Sequence, residues 1–405
     1  MENEEKRWER NKAIWIGLIC VLAYCIDYYF RKLLGAGRPL ILEEGVFSTL
    51  VLDNCQSVYM LTYAIGCLLN GVIGDYVPPR RMISIGFGLG GISMLLFTWV
   101  QTPWVALLCF MMLGYGLSMM RGPMMKVIAE NTLPDYARVI CSLFRFGSLL
   151  GTPIASVFMV LFHWKEAFLI SGILSLSLAA VLFVLFFRME KRGLIRPARD
   201  EGPKERLTVR RVLGFFSLRG FLFYFLLDGL VETSATTITY FLPSYIHDYL
   251  GQSADFSNLT VTVLSIAIAA CAFLALFLFY ACKKNDLLVV RIMMPVALLA
   301  FAGVMAFSSL WVNLILLVLG LMAFSCTSGM LWGVYIPSLG KTGKVSGANG
   351  VIDCFGYLVA TAMTEVMSFV SRSVFGWRGV IGLWIGLAAA GLVLAFVKKE
   401  KNVEE

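Results

Sequence analysis

The sequence predicts an all-α membrane protein of twelve transmembrane helices arranged as two halves of six. Three observations carry that expectation. Of 405 residues, 59% are hydrophobic and only 15% charged, where a soluble domain carries about 25% charged residues. Apolar runs recur as six, a polar gap, then six. Lysine and arginine fall almost entirely on alternate connections between those runs.

Each run is close to the ~20 residues that a helix needs to cross a hydrocarbon core of about 30 Å. Residues Met1–Lys12 are polar and charged. The apolar run behind them exceeds a signal-peptide core and meets no small-residue cleavage site, so it is expected to be an uncleaved first span. In the first half the runs are 13–34, 52–75, 82–101, 104–128, 138–162 and 165–188. The second and fourth are the most interrupted. In the second half they are 217–246, 257–282, 287–309, 311–337, 345–371 and 378–398. The gap 189–216 is rich in Lys and Arg, and Pro197 and Pro203 discourage a continuous helix there. It reads as an exposed linker between an N-terminal half, 1–188, and a C-terminal half, 217–405.

Basic residues set the orientation. With both termini and every second loop in the cytoplasm, that side holds 25 of the 34 Lys and Arg residues; the other side holds Arg38, Lys165, Arg372 and Arg378. The expected location is a bacterial-type plasma (inner) membrane. The net charge of +8 is then a topology signal. The bilayer is the expected partner, and nucleic acid has no place in the reading.

Ten cysteines lie within apolar runs or at their ends and form no CxxC pair, and only His163 and His247 supply imidazoles. They read as small buried apolar side chains, so no metal site and no cofactor is expected. HExxH, GxSxG and Walker patterns are absent from the sequence, which argues against an enzyme. Without an ATP-binding loop, concentrative work must draw on an ion or solute gradient.

Function is sought in the ionisable groups inside the runs, because a charge at the bilayer centre costs roughly 2.5–3.5 kcal/mol unless it faces a partner or a polar cavity. The bases are Arg31, Lys32, Arg121, Lys126 and Arg145; the acids are Asp27, Asp228, Glu232, Asp353 and Glu365. Asp27 and Arg31 are four apart and share a helix face with Tyr24 and Tyr28. They form either an internal ion pair or a solute-facing stripe, and Lys32 adds a second cation. Asp228 and Glu232 are also four apart. They suit proton binding, or each pairs with Arg145 or Lys126. Arg145 lies beside Gly147 and Gly151, a small-xxx-small pair for close helix approach, with Pro153 beyond. Arg121 and Lys126, five apart, point about 140° away from one another around a helix.

Gly71-Val-Ile-Gly74-Asp75-Tyr-Val-Pro-Pro-Arg80-Arg81 resembles the cytoplasmic-loop signature of the major facilitator superfamily. The glycine permits close packing, and Asp75 can accept from a helix N-terminus or an arginine. Gly71, Asp75, Arg80 and Arg81 are thus the expected conformational latch. The counterpart Tyr280-Ala-Cys-Lys283-Lys284 lacks the aspartate. More narrowly, Tyr28-Tyr29-Phe30-Arg31-Lys32 followed by Pro39 resembles the first helix of the organophosphate:phosphate antiporters, the glycerol-3-phosphate and hexose-phosphate carriers. Ala348-Asn-Gly350 through Gly356-Tyr357, Phe375-Gly376-Trp377, and Pro134-Asp-Tyr-Ala-Arg138 through Trp164 are also similar to that family.

This resemblance implies the major facilitator fold, a monomer, and a first helix extended toward Leu42. It gives Arg31 the phosphate-binding role, with Tyr28 and Lys32 beside it. The family's second phosphate-binding arginine has no counterpart in Glu232–Tyr240, and its fifth-helix histidine falls near Ser148, one turn after Arg145. The expectation is a secondary active transporter moving a small anionic or zwitterionic organic solute by alternating access. Arg31, Tyr28, Lys32, Arg145, Lys126 and Arg121 would hold the solute. Asp228, Glu232, Asp353 and Asp27 would take an amine, bind protons or form bridges, and Ser234, Thr236, Thr237, Thr239 and Tyr240 could bond hydroxyls. A proton-coupled symporter and a transporter-like membrane sensor are the alternatives.

Overall fold

The structure is a computed structural model that describes residues 2–196 and 212–398. Among them are helices and turns but no strand. The helices are α1 (Glu2–Glu43), α2 (Thr49–Gly74), α3 (Pro79–Trp99), α4 (Pro103–Leu117), α5 (Arg121–Asn131), α6 (Pro134–Leu161) and α7 (Trp164–Lys191). Then follow α8 (Phe221–Ser244), α9 (Ala254–Ala281), α10 (Asp286–Ala306), α11 (Leu310–Met330), α12 (Val345–Arg372) and α13 (Gly376–Val397). Most of the expected linker, 197–211, lies outside the described residues.

Local chemistry sets the starts. Proline occupies the first turn of α3, α4 and α6, where its missing N–H has no helical partner to lose. Ser48, Ser253 and Asn285 cap α2, α9 and α10 by accepting a backbone N–H. His163 and Glu166 close a reciprocal capping box on α7.

Ten spans among the described residues are long and apolar enough to cross a membrane; α4 and α5 count as one of them, Pro103–Asn131. The 28-residue α6 and α9 are two further long helices, which makes twelve. Large apolar side chains cover their outer faces, as at Trp104, 76% exposed, and Val160, 85% exposed. A bilayer accepts that surface where water would not.

Two departures from the apolar runs matter. Hydropathy marks 13–34, yet α1 has 42 residues and is on the order of 60 Å long at 1.5 Å per residue. It continues past Arg31 through Leu42, so the arginine stands well inside the helix. The fourth run breaks at Ser118–Met120, and this break places Arg121 in the first turn of α5.

The chain divides into two compact units. The first comprises Met1–Leu218 with Ile336–Cys354, so it includes the opening turns of α12. In it α1 packs on α6, α2 on α4, and α3 on α4 and α7. The second comprises Arg219–Tyr335 with Phe355–Glu405. There α9 packs on α11, and α10 on α11 and α13. The second-with-fourth, third-with-fourth and third-with-sixth pairings thus occur in both.

Candidate functional site

Buried charge in the first unit gathers on α1, α5 and the start of α12. One α-helical turn separates Asp27 from Arg31, and Arg31 Nη2 meets Asp27 Oδ2 at 2.6 Å. Asp27 is fully buried and Arg31 8% exposed. Aromatic rings close around the guanidinium: Tyr63 of α2 at 4.3 Å, Tyr28 at 4.6 Å and Tyr24 at 5.9 Å from ring centroid to Cζ. A cation beside aromatic faces gains electrostatically from the ring quadrupole, most of all where water is excluded. Tyr24 is itself stacked on Phe144 of α6 at 3.7 Å between centroids, which fixes one wall.

A second pair stands nearby. Arg121 Nη1 of α5 meets Asp353 Oδ1 of α12 at 2.6 Å. The other Asp353 oxygen, Oδ2, accepts from Asn349 Nδ2 at 2.8 Å, one turn earlier on the same helix. The helices that carry the two cations, α1 and α5, pack against one another, so the two pairs lie on neighbouring helices. Of the roles open to Asp353, the structure records a bridge.

At the end of α2 the chain is held to α12 by a different device. Asp75 Oδ1 accepts from the Ser346 N–H at 3.0 Å, and Oδ2 from the Gly347 N–H at 3.1 Å. These are N–H groups of the first turn of α12, where helical partners are missing and the helix dipole favours an anion. Close approach is a steric requirement here. A Cβ on Gly71 would stand 2.6 Å from Gly350 Cα, and one on Gly350 would stand 2.1 Å from the Cys67 carbonyl oxygen. Asp75 lies just past the span. Burial pushes its carboxyl up to about 7; the Gly347 N–H, the Lys126 ammonium and the Ser346 N–H pull it back, and Glu130 adds to the rise.

Several expected site residues take other work. Lys126 donates to the Gly74 and Asp75 carbonyls at 3.2 and 2.5 Å, capping the C-terminal end of α2. Its ammonium is therefore committed to backbone oxygens, while Arg121 reaches Asp353, in keeping with their separation around α5. Lys32 is on the exposed side of α1, about 100° around from Arg31. Arg80 pairs with Glu190 of α7 at 2.6 Å, and Arg81 is exposed. Arg145 belongs to α6, but its side chain, like that of Ser148, lies outside the described residues.

In the second unit Asp228 is buried on α8, its carboxylate turned to Gly356 of α12, where an added Cβ would stand 2.4 Å from Oδ2. Glu232 is half-buried one turn later. Ser234 and Thr237 give their hydroxyls to the α8 carbonyls of Leu230 and Thr233, both at 2.7 Å. Thr236 is half-buried, whereas Thr239 and Tyr240 are exposed.

Sequence reasoning did not single out Tyr63, Asn349 or Ser346. Tyr59 and Tyr63 repeat the four-residue spacing of Tyr24 and Tyr28, and Asn349 precedes Asp353 by four, so spacing marked two of these three. Nothing local marked Ser346.

The chain is similar to known proteins over much of its length. The Chlamydia trachomatis serovar D protein described as "Probable hexose phosphate transport protein" is 22% identical over 406 residues, covering 92% of this chain and 88% of that one. The membrane sensor protein UhpC of Salmonella typhimurium is 19% identical over 181 residues, 43% of this chain and 40% of that protein. The first curated relatives thus match over less than half of their own length. The crystal structure of the transporter FucP in its outward conformation superposes with a TM-score of 0.73 at 13% identity, covering 95% of this chain and 100% of that one. The Major Facilitator Superfamily profile matches residues 20–361. The chain is an integral membrane protein and belongs to the Major Facilitator Superfamily, whose members move small solutes across membranes.

Proposed function

We propose that the protein is a secondary active transporter for a small anionic or zwitterionic organic solute, working by alternating access around the α1, α5 and α12 cluster. The observation that carries this is the burial of Arg31 among three tyrosines inside a family of carriers. A guanidinium matches a carboxylate, sulfonate or phosphate in a bidentate manner. Arg31 and Arg121 hold the anionic group, with Tyr28 and Tyr63 as walls. Asp27 and Asp353 are the acids that the solute or a proton displaces. Asp228 and Glu232 provide a further place for proton coupling. Arg145 remains a candidate on position alone.

Residues 1–188 and 217–405 act as two halves joined by the cytoplasmic linker 189–216. Both termini face the cytoplasm of a bacterial-type inner membrane, as the Lys and Arg distribution supports. With that orientation, the Asp75 latch closes the cytoplasmic end, and its release opens the path inward. The functional unit is a monomer, with neither nucleic acid nor catalysis in its work.

The test is uptake into proteoliposomes of labelled sugar phosphates, inorganic phosphate, dicarboxylates and zwitterions, with and without a pH gradient. Uptake that falls to background in Arg31→Ala supports the assignment. Unchanged uptake in that variant moves the site elsewhere. A sensor reading is favoured by the likeness to a membrane sensor protein. It predicts solute binding with no net flux of any solute in the panel.

A further inference from the structure

We infer that the solute is a zwitterion, with one anionic and one cationic group on a small skeleton, and that phosphate dianions are excluded; this rests on the transporter reading above.

The first observation is charge balance. Among the described residues the cluster holds two guanidiniums and two carboxylates, with Arg31, Asp27 and Asp353 buried and Arg121 half-buried, and each cation already meets an acid at 2.6 Å. Unbalanced charge is poorly screened at such a depth. A dianion added to this cluster leaves two negative charges uncompensated, a monoanion leaves one, and a zwitterion leaves none. A zwitterion can also exchange partners. Its carboxylate or sulfonate takes the guanidinium edge, and its ammonium takes the carboxylate that the guanidinium released. A neutral polyol offers no charge to either member, so both pairs stay shut.

The second observation is independent of that count. Arg31 is more than nine-tenths buried, yet its Nε–H has no hydrogen-bond partner among the described residues, and neither has Asp27 Oδ1. A buried donor or acceptor left unmet is costly. Here one of each sign sits on a single ion pair. Groups of opposite sign on a short skeleton satisfy both at once, and the Tyr28 and Tyr63 faces that flank Arg31 also suit an ammonium.

The experiment uses the full chain in proteoliposomes. Probes are labelled neutral L-amino acids and taurine as zwitterions, glycerol 3-phosphate and glucose 6-phosphate as dianions, and glucose as a polyol. Wild type should take up at least one zwitterion, with each phosphate ester at least about tenfold slower. Asp27→Asn leaves a cation unmatched, so the ratio of zwitterion to phosphate-ester uptake should drop by about tenfold or more. Should Asp27→Asn fail to fold, Asp353→Asn makes the same change at the second pair, where Asn349 remains. Phosphate-ester or glucose uptake by wild type at the zwitterion rate overturns the inference and leaves the transporter reading intact. So does a ratio that neither variant changes. No uptake of any probe overturns the transporter reading, and the inference with it.

Discussion

The turn after α2 and the turn after α9 hold the same place in the two repeats, but they hold different things. The first ends in Gly74-Asp75, and its carboxylate reaches into the first turn of α12. The second runs through Lys283 and Lys284, both in the left-handed region with φ of 54° and 62°. Asn285 then caps its own helix, and Asp286 accepts from the Tyr224 hydroxyl of α8. The polar groups of one turn tie a segment about 270 positions away in sequence, and those of the other bond to α8 and to their own helix. An acid just past a helix C-terminus can hold a second helix where that helix presents its unpaired N–H groups, as α12 does to Asp75. The second turn has no acid at the matching place.

The difference can be broken at α12. Removing one partner of a buried ion pair leaves the other uncompensated, a loss of up to about 3 kcal/mol for a pair with some exposure. Arg121→Gln or Asp353→Asn should therefore lower the melting temperature most, and the Arg121→Gln/Asp353→Asn double variant should regain much of the loss. A double variant no better than its parents would mean that the pair contributes little. Next in size is Gly350→Val, which drives a side chain into the Cys67 carbonyl and should cost about 1–3 kcal/mol. Hydrogen exchange at the Ser346 and Gly347 amides should accelerate in that variant, while exchange in the turn at Lys283 and Lys284 stays as it was.

A pH series sharpens the contrast further. Burial against α12 pushes the Asp75 carboxyl up to about 7 from its ordinary value near 3.8. Against a state where water surrounds Asp75, closure therefore takes up a proton between those values. Closure should be most favoured below about pH 4, weaken as pH rises toward about 7, and stay level above that. Asp75→Asn should flatten the profile of Ser346 and Gly347 protection, after correction for intrinsic exchange. The smallest effect is expected at the second turn. Lys284→Gly relieves a left-handed backbone and should stabilise by about 1 kcal/mol or less, with uptake unchanged.

Local spacing explains what could be read from the sequence. Asp27 with Arg31 is an i,i+4 pair, so its contact follows from helix geometry alone. Asp75 beside Gly74 marked an acceptor for a helix N-terminus, though not which one. The apolar runs were legible because each carries its own length and hydropathy, and ten of the described spans are long and apolar enough to cross a membrane. Contacts across long sequence separations were not. Arg121 and Asp353 are 232 positions apart, and Arg80 and Glu190 are 110 apart. No spacing rule selects those partners from the other buried charges. Lys126 shows the reverse failure. An isolated intramembrane cation suggested solute binding, but two backbone carbonyls at the end of α2 consume it. The break at Ser118–Met120 falls in the fourth run, which the sequence already marked as interrupted, but hydropathy did not place it.

If transport requires the α2–α12 contact at Asp75 to open and close, a covalent bridge across it should stop uptake. A Cβ on Gly347 would stand 2.5 Å from Asp75 Oδ2 and 2.3 Å from Phe215 Cζ, so cysteines at 75 and 347 come close to one another once the Phe215 ring is trimmed by Phe215→Ala. The measurement is solute uptake by Asp75→Cys/Gly347→Cys in a Phe215→Ala background lacking the native cysteines, oxidised and then reduced. The account predicts background uptake when the bridge is formed and recovery on reduction. Full uptake with the bridge intact would contradict it.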